Sequence, residues 1–473
     1  MRWLLNLLVL LLVISPGQAA DRRPSVILIL ADDLGYGELG CYGQSRILTP
    51  HLDRMAREGM RFTQFYAGSP VCAPSRCCLL TGKHGGHAWV RDNRSVKPEG
   101  QIPLPDGEVT LSELVKREGH ATGAIGKWGL GPPGSGSDPT KRGFDLFFGY
   151  NCQAHAHYHY PTYLWRNDRR VNYPDNAIKT GKRHSHDLFE KEALTFLDAN
   201  RERSFFLFLP LTIPHVSIQA EADWLAPYEG KWDEPAYNGK KGYLPHPAPR
   251  AAYAAMITRM DQTVGRILEW LKQNNRDRDT LVLFTSDNGA THDVGGADTE
   301  FFRSVGDLRG RKGSVYEGGL RVPLIARWTG VIKPGSESSR PAYFPDILPT
   351  IMEVVGAGER IPAGVDGLSL LPTLRGKSVQ KEHNHLVWEF AGYGGQQAIR
   401  MGNWKGIRRQ LTKGPARLEL YDLALDPSEK EDVSSSHPDV VRKLETVLAR
   451  EHTPSSLFPL KGLDGVKPGS TDR

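Results

Sequence analysis

The chain has 473 residues, 39% of them hydrophobic and 24% charged, with a formal net charge of +6. That is enough apolar material for a large core and a smaller second one, and it excludes a short disordered or fibrous protein. The modest positive charge comes with no basic low-complexity tail and no nucleic-acid motif. It reads first as solubility charge and second as a loose fit to anionic substrates, with no nucleic-acid partner.

Met1-Arg2-Trp3, the apolar run Leu4 to Ile14 and the small-residue stretch ending Ala19-Ala20 read as a secretory signal over residues 1–20, cleaved after Ala19 or Ala20. The run is shorter than the ~20 apolar residues that span a bilayer. No later segment is long and apolar enough, so the mature chain is expected to be exported, periplasmic or secreted, without a membrane span. Five cysteines in such a chain suggest disulfides among Cys41, Cys77, Cys78 and Cys152, with Cys72 as the odd residue if it is chemically consumed.

Ser25 to Leu30 is a continuous apolar run of buried-strand type. Thr49-Pro50 opens a helix with Thr49 as cap, Leu52, Met55 and Ala56 on one face and Gly59 as the stop. A second helix starts at Thr110, turns Leu111, Leu114 and Val115 inward and stops at Gly119. Strands are expected at Ala121 to Ile125, Phe205 to Leu211 and Leu281 to Thr285, with a helix over Tyr253 to Leu271 between the last two. This alternation predicts an α/β fold, a large mixed sheet sandwiched by helices. Gly149 to Arg183, rich in His, Tyr and Asn without periodicity, reads as a long loop insertion. After Leu374-Arg375-Gly376-Lys377 the pattern changes to short strands, His385 to Phe390 and Leu418 to Leu423, and one amphipathic helix, Pro438 to Ala449. The expected organisation is a signal over 1–20, a large unit over 21–377 and an α+β subdomain with a small antiparallel sheet over 378–473, its tail loose from Thr453.

Four of the expected strands finish in polar residues: Asp32-Asp33, Lys127, His215 a little after Leu211, and Asp287-Asn288. In open α/β sheets ligands bind outside the carboxyl ends of the strands, so these groups are expected to converge on one crevice. Singly, Asp32-Asp33 reads as a turn or cap and Asp287-Asn288-Gly289 as a tight turn. Together they offer three carboxylates and an amide oxygen, a hard-oxygen set suited to Ca²⁺ or Mg²⁺. Val71-Cys72-Ala73-Pro74-Ser75-Arg76 precedes the short run Cys77 to Thr81, which puts Cys72 at a helix N-terminus, where anions are favoured.

The segments Ala31-Asp32-Asp33-Leu34-Gly35, Cys72-Ala73-Pro74-Ser75-Arg76, Gly126-Lys127-Trp128, Ser286-Asp287-Asn288-Gly289, Gly310-Arg311-Lys312-Gly313 and Tyr316 to Pro323 together resemble the type I sulfatases, the arylsulfatase family of the alkaline phosphatase superfamily. The resemblance covers nearly all of the mature chain and implies an alkaline phosphatase-like fold and hydrolysis of sulfate esters. It implies that formylglycine-generating machinery converts Cys72 to formylglycine, whose hydrate attacks sulfur and then expels sulfate. Asp32, Asp33, Asp287, Asn288 and the modified Cys72 are then the Ca²⁺ ligands. Arg76, Lys127 and Lys312 match residues that hold the nucleophile or neutralise sulfate oxygens, and His215 matches the proton donor to the leaving alcohol. Lys127, His215 and Lys312 also count as substrate-binding.

One position departs from the pattern. Many relatives read G-K-W-H-L-G where this chain has Gly126-Lys127-Trp128-Gly129-Leu130-Gly131, and His155, His157 and His159 are candidates to replace the missing histidine. Tyr158-His159-Tyr160, Trp165-Arg166-Asn167 and Trp388-Glu389-Phe390 to Gln396-Gln397 are either a sugar-binding rim or packing between the two units. The expected substrate is a sulfated polysaccharide or oligosaccharide. The alternatives are a formylglycine phosphodiesterase or phosphonate monoester hydrolase, or an inactive secreted glycan-binding relative.

Overall fold

The computed structural model describes residues 22–465, and the expected export signal lies outside them. Sixteen strands run β1 Ser25–Ala31, β2 Met60–Phe62, β3 Phe65–Tyr66, β4 Ala121–Lys127, β5 Leu146–Tyr150, β6 Tyr163–Arg166, β7 Arg169–Asn172, β8 Phe205–Pro210, β9 Thr280–Ser286, β10 Leu324–Arg327, β11 Ser336–Ser338, β12 Ala342–Tyr343, β13 Leu386–Phe390, β14 Gln396–Met401, β15 Trp404–Arg409 and β16 Glu419–Asp422. Ten of them form one mixed sheet in the order β11-β2-β10-β9-β1-β8-β4-β5-β6-β7, and β13 to β16 form a separate antiparallel sheet.

The centre, β9-β1-β8-β4-β5, is parallel throughout, so its carboxyl ends share one edge. Each face is covered by helices. Ile27 and Ile29 of β1 join the core under the helices Pro50–Glu58, Ser185–Ala199 and Pro249–Gln273. The alternate residues Val26, Leu28 and Leu30 join the core under Cys72–Thr81, Leu111–Arg117 and Ile347–Val354. A strand covered on both faces has no polar alternation, which is why β1 reads as an unbroken apolar run. Full burial of each of these side chains contributes about 1.5–3 kcal/mol.

The helix expected at Thr49-Pro50 forms, but Thr49 does not cap it. Its hydroxyl accepts from the Gly40 amide and donates to Asp53, and the buried Asp261 carboxylate takes the amides of Leu52 at 2.7 Å and His51 at 3.2 Å. The helix start is therefore fixed by a tertiary contact. At Thr110 the local rule holds, with a reciprocal capping box to Glu113.

Gly149 to Arg183 is not a plain loop insertion. β6 and β7 form a hairpin, turning at Asn167 with φ +52°, that extends the main sheet beyond β5. Of the eight residues in these edge strands only Leu164 is buried, so no apolar alternation marks them. The tail also departs from expectation: Phe458, Leu460 and Leu463 are buried and the short helix Lys461–Asp464 follows. The expected disulfides are absent among the described residues, where all five cysteines are free. Cys77 and Cys78 point into the core, and burial pushes Cys77 up to about 11 and Cys78 well above its ordinary value.

The second sheet binds to the rest through both of its faces. Val387, Ile399 and Leu420 pack beneath Leu444 and Leu448 of the helix Pro438–Arg450. Trp388, Phe390 and Ile407 pack against Tyr66, Val71 and Leu320 of the large unit. In the same contact Lys405 reaches Glu317 at 2.8 Å and Glu429 at 3.0 Å, all three side chains nearly fully buried. Leaving such a charge without its partner costs about 3–5 kcal/mol, so this cluster locks one docking arrangement.

Candidate functional site

Asp32 and Asp33 follow β1, Lys127 ends β4, His215 follows β8, and Asp287 and Asn288 follow β9. All lie on the shared carboxyl edge of the parallel strands. The helix Cys72–Thr81 begins at that edge, with Cys72 as its first residue and Val71 as extended N-cap. Arg76 lies one turn on, and residues four apart share a helix face.

The expected residues meet. Donor atoms of Asp32, Asp33, Cys72 and Asp287 all lie within 4.8 Å of one another, and all four residues are buried. Cys72 Sγ is 3.5 Å from Asp32 Oδ1. Lys127 Nζ donates to Asp32 Oδ2 at 2.6 Å and Lys312 Nζ to Asp33 Oδ2 at 2.7 Å. Arg76 holds one oxygen of Asp287 through Nη2 at 2.8 Å and Nε at 3.1 Å, and donates from Nη1 to the Lys127 carbonyl at 2.5 Å. His215 Nε2 stands 3.5 Å from Asp33 Oδ2 while its Nδ1 donates to the Val216 carbonyl. Asp33 adopts φ +69°, which lets its amide donate to Asp287 Oδ1 at 3.1 Å.

Three buried carboxylates and three cations thus share a pit, with Lys312 on its partly open side. Burial alone would raise Asp32, but Lys127, Arg76 and Lys312 outweigh it and hold that carboxyl at about 2. Asp287 moves the other way, raised by burial and by Asp32 despite Arg76. Burial pushes the Cys72 thiol up to about 12, against the pull of Lys127 and Lys312. A thiol held protonated is a poor nucleophile, so the position is badly set for plain cysteine chemistry.

The donor set fits a hard divalent cation. Asn288 is fully buried, its Nδ2 donates to Asp33 Oδ1 at 2.8 Å and to the Gly289 carbonyl, and its Oδ1 has no partner. A buried carbonyl oxygen without a donor is costly unless a cation or water meets it. With three carboxylate groups beside it, this is an all-oxygen set of the Ca²⁺ type, with residue 72 as a further donor. A dication added to balanced charges leaves the pit net positive, the sign an anionic ester needs.

Of the three histidines considered for the vacancy at Gly129, one faces the pit. His157 stacks on His215 with ring centroids 4.4 Å apart. Burial, Lys127 and Lys312 push it down to about 3, so its ring is neutral. His159 is committed to structure, its Nε2 donating to the His215 carbonyl and its Nδ1 accepting from Thr212. His155 packs instead between Tyr150 and Tyr163. Gly129 itself has φ +80°, and a Cβ there would fall 2.0 Å from Gln153 Nε2. The Gln153 carboxamide fills the space that any side chain at position 129 would need.

Sequence reasoning missed Asn93, which accepts from the Ala73 amide at the start of the helix Cys72–Thr81 at 2.8 Å, and His292, which lies near Lys312 and Asp33. The second is legible afterwards, four residues past Asn288 in the same strand-end loop. Of the two readings of the aromatic and amide-rich segments, packing is the one the structure shows for Trp388, Glu389, Gln396 and Trp165. Trp388 is fully buried and donates to the Ala67 carbonyl, Glu389 pairs with Arg91, Gln396 donates to the Gly313 carbonyl, and Trp165 donates to Glu99.

A second group, His84, His87 and Glu451, also brings ligand-type atoms together. There His84 Nδ1 accepts from the Gly86 amide and His87 Nδ1 donates to Asp366 at 2.9 Å. With Nδ1 accepting, His84 turns its Nε2 towards Glu451 at 3.5 Å. These contacts make the cluster a hydrogen-bonded joint between the helix end and the large unit.

The family model described as Sulfatase matches residues 24–357, and one described as N-sulphoglucosamine sulphohydrolase, C-terminal, matches residues 311–453. The chain is similar to the steryl-sulfatase of Mus musculus, at 31% identity over 93% of this chain and 83% of that protein. It is similar to the N-acetylgalactosamine-6-O-sulfatase of Bacteroides thetaiotaomicron, at 29% identity over 90% of this chain and 93% of that protein. Among solved structures it is similar to Ps i-CgsB in complex with k-i-k-neocarrahexaose, with a TM-score of 0.77 at 27% identity over 95% of this chain and 96% of that one.

Gly129→His is expected to lower stability by about 1–3 kcal/mol, because the new side chain and Gln153 claim one space. Adding Gln153→Ala is expected to recover the overlap but not the left-handed backbone cost of roughly 1–2 kcal/mol. Thermal melts of the two variants and the parent check this. Equal melting of parent and Gly129→His would show that Gln153 does not hold the space.

Proposed function

The chain belongs to the sulfatase family and is a sulfuric ester hydrolase, and from that premise we propose that it works with formylglycine made from Cys72 and with bound Ca²⁺ on a sulfated polysaccharide or oligosaccharide. The single observation that carries the nucleophile is Cys72 itself. It heads the C-x-P-S-R segment, opens a helix, lies 3.5 Å from Asp32 and is held protonated. The same segment supports recognition by formylglycine-generating machinery. Met1 to Ala20 supports export to the periplasm or beyond, ahead of a catalytic unit over 21–377 and a C-terminal subdomain over 378–473. The glycan reading draws support from relatives named for sulfated sugars.

Asp32, Asp33, Asp287, Asn288 and residue 72 would hold Ca²⁺. When bound, the ion polarises the sulfate and lowers the pKa of the attacking hydroxyl. When formed, hydrated formylglycine supplies one hydroxyl to attack sulfur and a second through which sulfate is released. The chain's own residues do the rest. Arg76 fixes Asp287 and, through the Lys127 carbonyl, the end of β4, so carboxylates and nucleophile keep one geometry. Lys127 and Lys312 lie at Asp32 and Asp33 and are placed to neutralise sulfate oxygens as charge develops.

His215 is neutral at rest, since burial together with Lys312, His157 and Lys127 drives its pKa well down. Its Nδ1 proton is spent on Val216, so Nε2 faces the pit as an acceptor. An anionic substrate offsets the neighbouring cations, and Nε2 can then take up a proton from solvent and hand it to the leaving alcohol. His157, neutral and stacked on it, is the group best placed to stand in for the histidine missing at Gly129.

Cys72→Ala is expected to abolish turnover of an aryl sulfate while the melting temperature stays near that of the parent, and mass spectrometry of the parent peptide should find the aldehyde at residue 72. Normal activity in folded Cys72→Ala, or higher kcat/KM on a phosphate diester than on a sulfate monoester, would overturn the mechanism or the substrate class respectively.

Chelation is expected to remove activity and added Ca²⁺ to restore it, with about one ion per chain by elemental analysis. Full activity in metal-free protein would refute the ligand assignment.

His215→Ala is expected to cost about 10²–10⁴-fold on a sulfated sugar, whose alcohol needs a proton to leave, and much less on nitrophenyl sulfate. An equal loss on both substrates would make His215 a sulfate-binding group instead.

A further inference from the structure

Two tyrosines far apart in sequence stand over the same pit. Tyr243 lies against the rings of His157 and His215, with centroids 5.6 Å and 6.0 Å away. Tyr393, in the turn between β13 and β14, is 62% exposed and lies edge-on to Phe390 at 5.6 Å. It packs over Gly313, where a Cβ would come within 2.5 Å of its ring, and the Gly313 amide donates to the Pro70 carbonyl at 2.8 Å. Tyr393 therefore adjoins both Lys312 and the approach to Cys72. Both phenols feel the charges of Lys312, Asp33 and Cys72.

Both residues also sit in left-handed backbone, Tyr243 at φ +65° and Tyr393 at φ +49°. Residues with a Cβ avoid that region, and such conformations collect where a side chain must be aimed. An exposed aromatic ring held over a polar, charge-lined pit has little to gain from packing. The carboxylate of Asp92 lies beside it, next to Gly392, as an acceptor for hydroxyls.

We infer that Tyr243 and Tyr393 are specificity-determining residues that receive the pyranose ring carrying the sulfate ester, Tyr393 by stacking on its face and Tyr243 as the wall on the histidine side. The inference rests on the glycan reading above and deepens it. It assigns the sugar subsite to one wall from the large unit and one from the C-terminal sheet. A ring face offers apolar C–H groups, which suit an aromatic plane, while its hydroxyls need partners such as Asp92 and the Tyr243 phenol.

The test uses the full chain with Cys72→Ala, so that ligands bind without turnover. N-acetylgalactosamine 6-sulfate, a carrageenan hexasaccharide and inorganic sulfate are titrated calorimetrically into this protein and into versions that also carry Tyr393→Ala, Tyr393→Trp or Tyr243→Phe. Tyr393→Ala is expected to weaken binding of at least one saccharide about ten-fold, with a much smaller change for inorganic sulfate, and Tyr393→Trp to restore it. Tyr243→Phe is expected to weaken the saccharide by a smaller factor with the fold intact. Saccharide binding indifferent to every tyrosine variant, or a parallel loss for inorganic sulfate that Tyr393→Trp does not restore, would overturn the subsite. If the parent turns over aryl sulfate while the Cys72→Ala protein binds neither saccharide, the glycan reading itself falls, and the subsite with it.

Discussion

Everything in this molecule is arranged around three carboxylates, Asp32, Asp33 and Asp287, brought together in a dry pit. Like charges a few ångströms apart repel strongly where water is excluded, and the repulsion must be met by cations in fixed places. Arg76, Lys127 and Lys312 come from a helix, a strand end and a loop, and each touches a different carboxylate. The parallel sheet is what makes that possible. Its strands deliver their last residues to one edge, and the two cores on its faces keep those ends from drifting.

The C-terminal sheet belongs to this arrangement and does not hang beside it. Trp388 reaches the Ala67 carbonyl, close before Cys72, and Gln396 holds the loop that carries Lys312. Lys405, Glu317 and Glu429 then fix the contact with buried charge, which tolerates little sliding. The tight motif residues from Gly310 to Pro323 are thus gripped from both sides. Charge geometry in the pit depends on packing some distance from it.

Legibility in the sequence followed a physical line. β1, β8 and β9 were readable because strands covered on both faces are apolar throughout, and Asp32, Asp33, Lys127, Asp287 and Asn288 were readable because they end or directly follow buried strands of this kind. Cys72 was readable because the run Cys77 to Thr81 puts it at a helix N-terminus, and Arg76 and Lys312 because their segments resemble the family's. The edge hairpin of β6 and β7 was not, since a strand with one buried residue carries no alternation. The start of the helix at Pro50 is fixed by Asp261 from another helix, which no local cap rule contains. Tyr243 and Tyr393 were hidden for a related reason: their meaning lies in the sign of a backbone angle and in what stands across a gap. Trp388 and Gln396 attracted notice as rim candidates by composition, and tertiary packing claimed them.

The pairing of Gly129 with Gln153 has a historical consequence. Because one residue's side chain occupies the volume the other's would need, the two positions cannot be exchanged freely one at a time. A lineage that moved between histidine and glycine at 129 had to cross a state with either a collision or a hole beside Lys127. A change at either position alone therefore meets a collision or a hole, so positions 129 and 153 are coupled. Only a paired change at both positions would keep the volume beside Lys127 filled without strain.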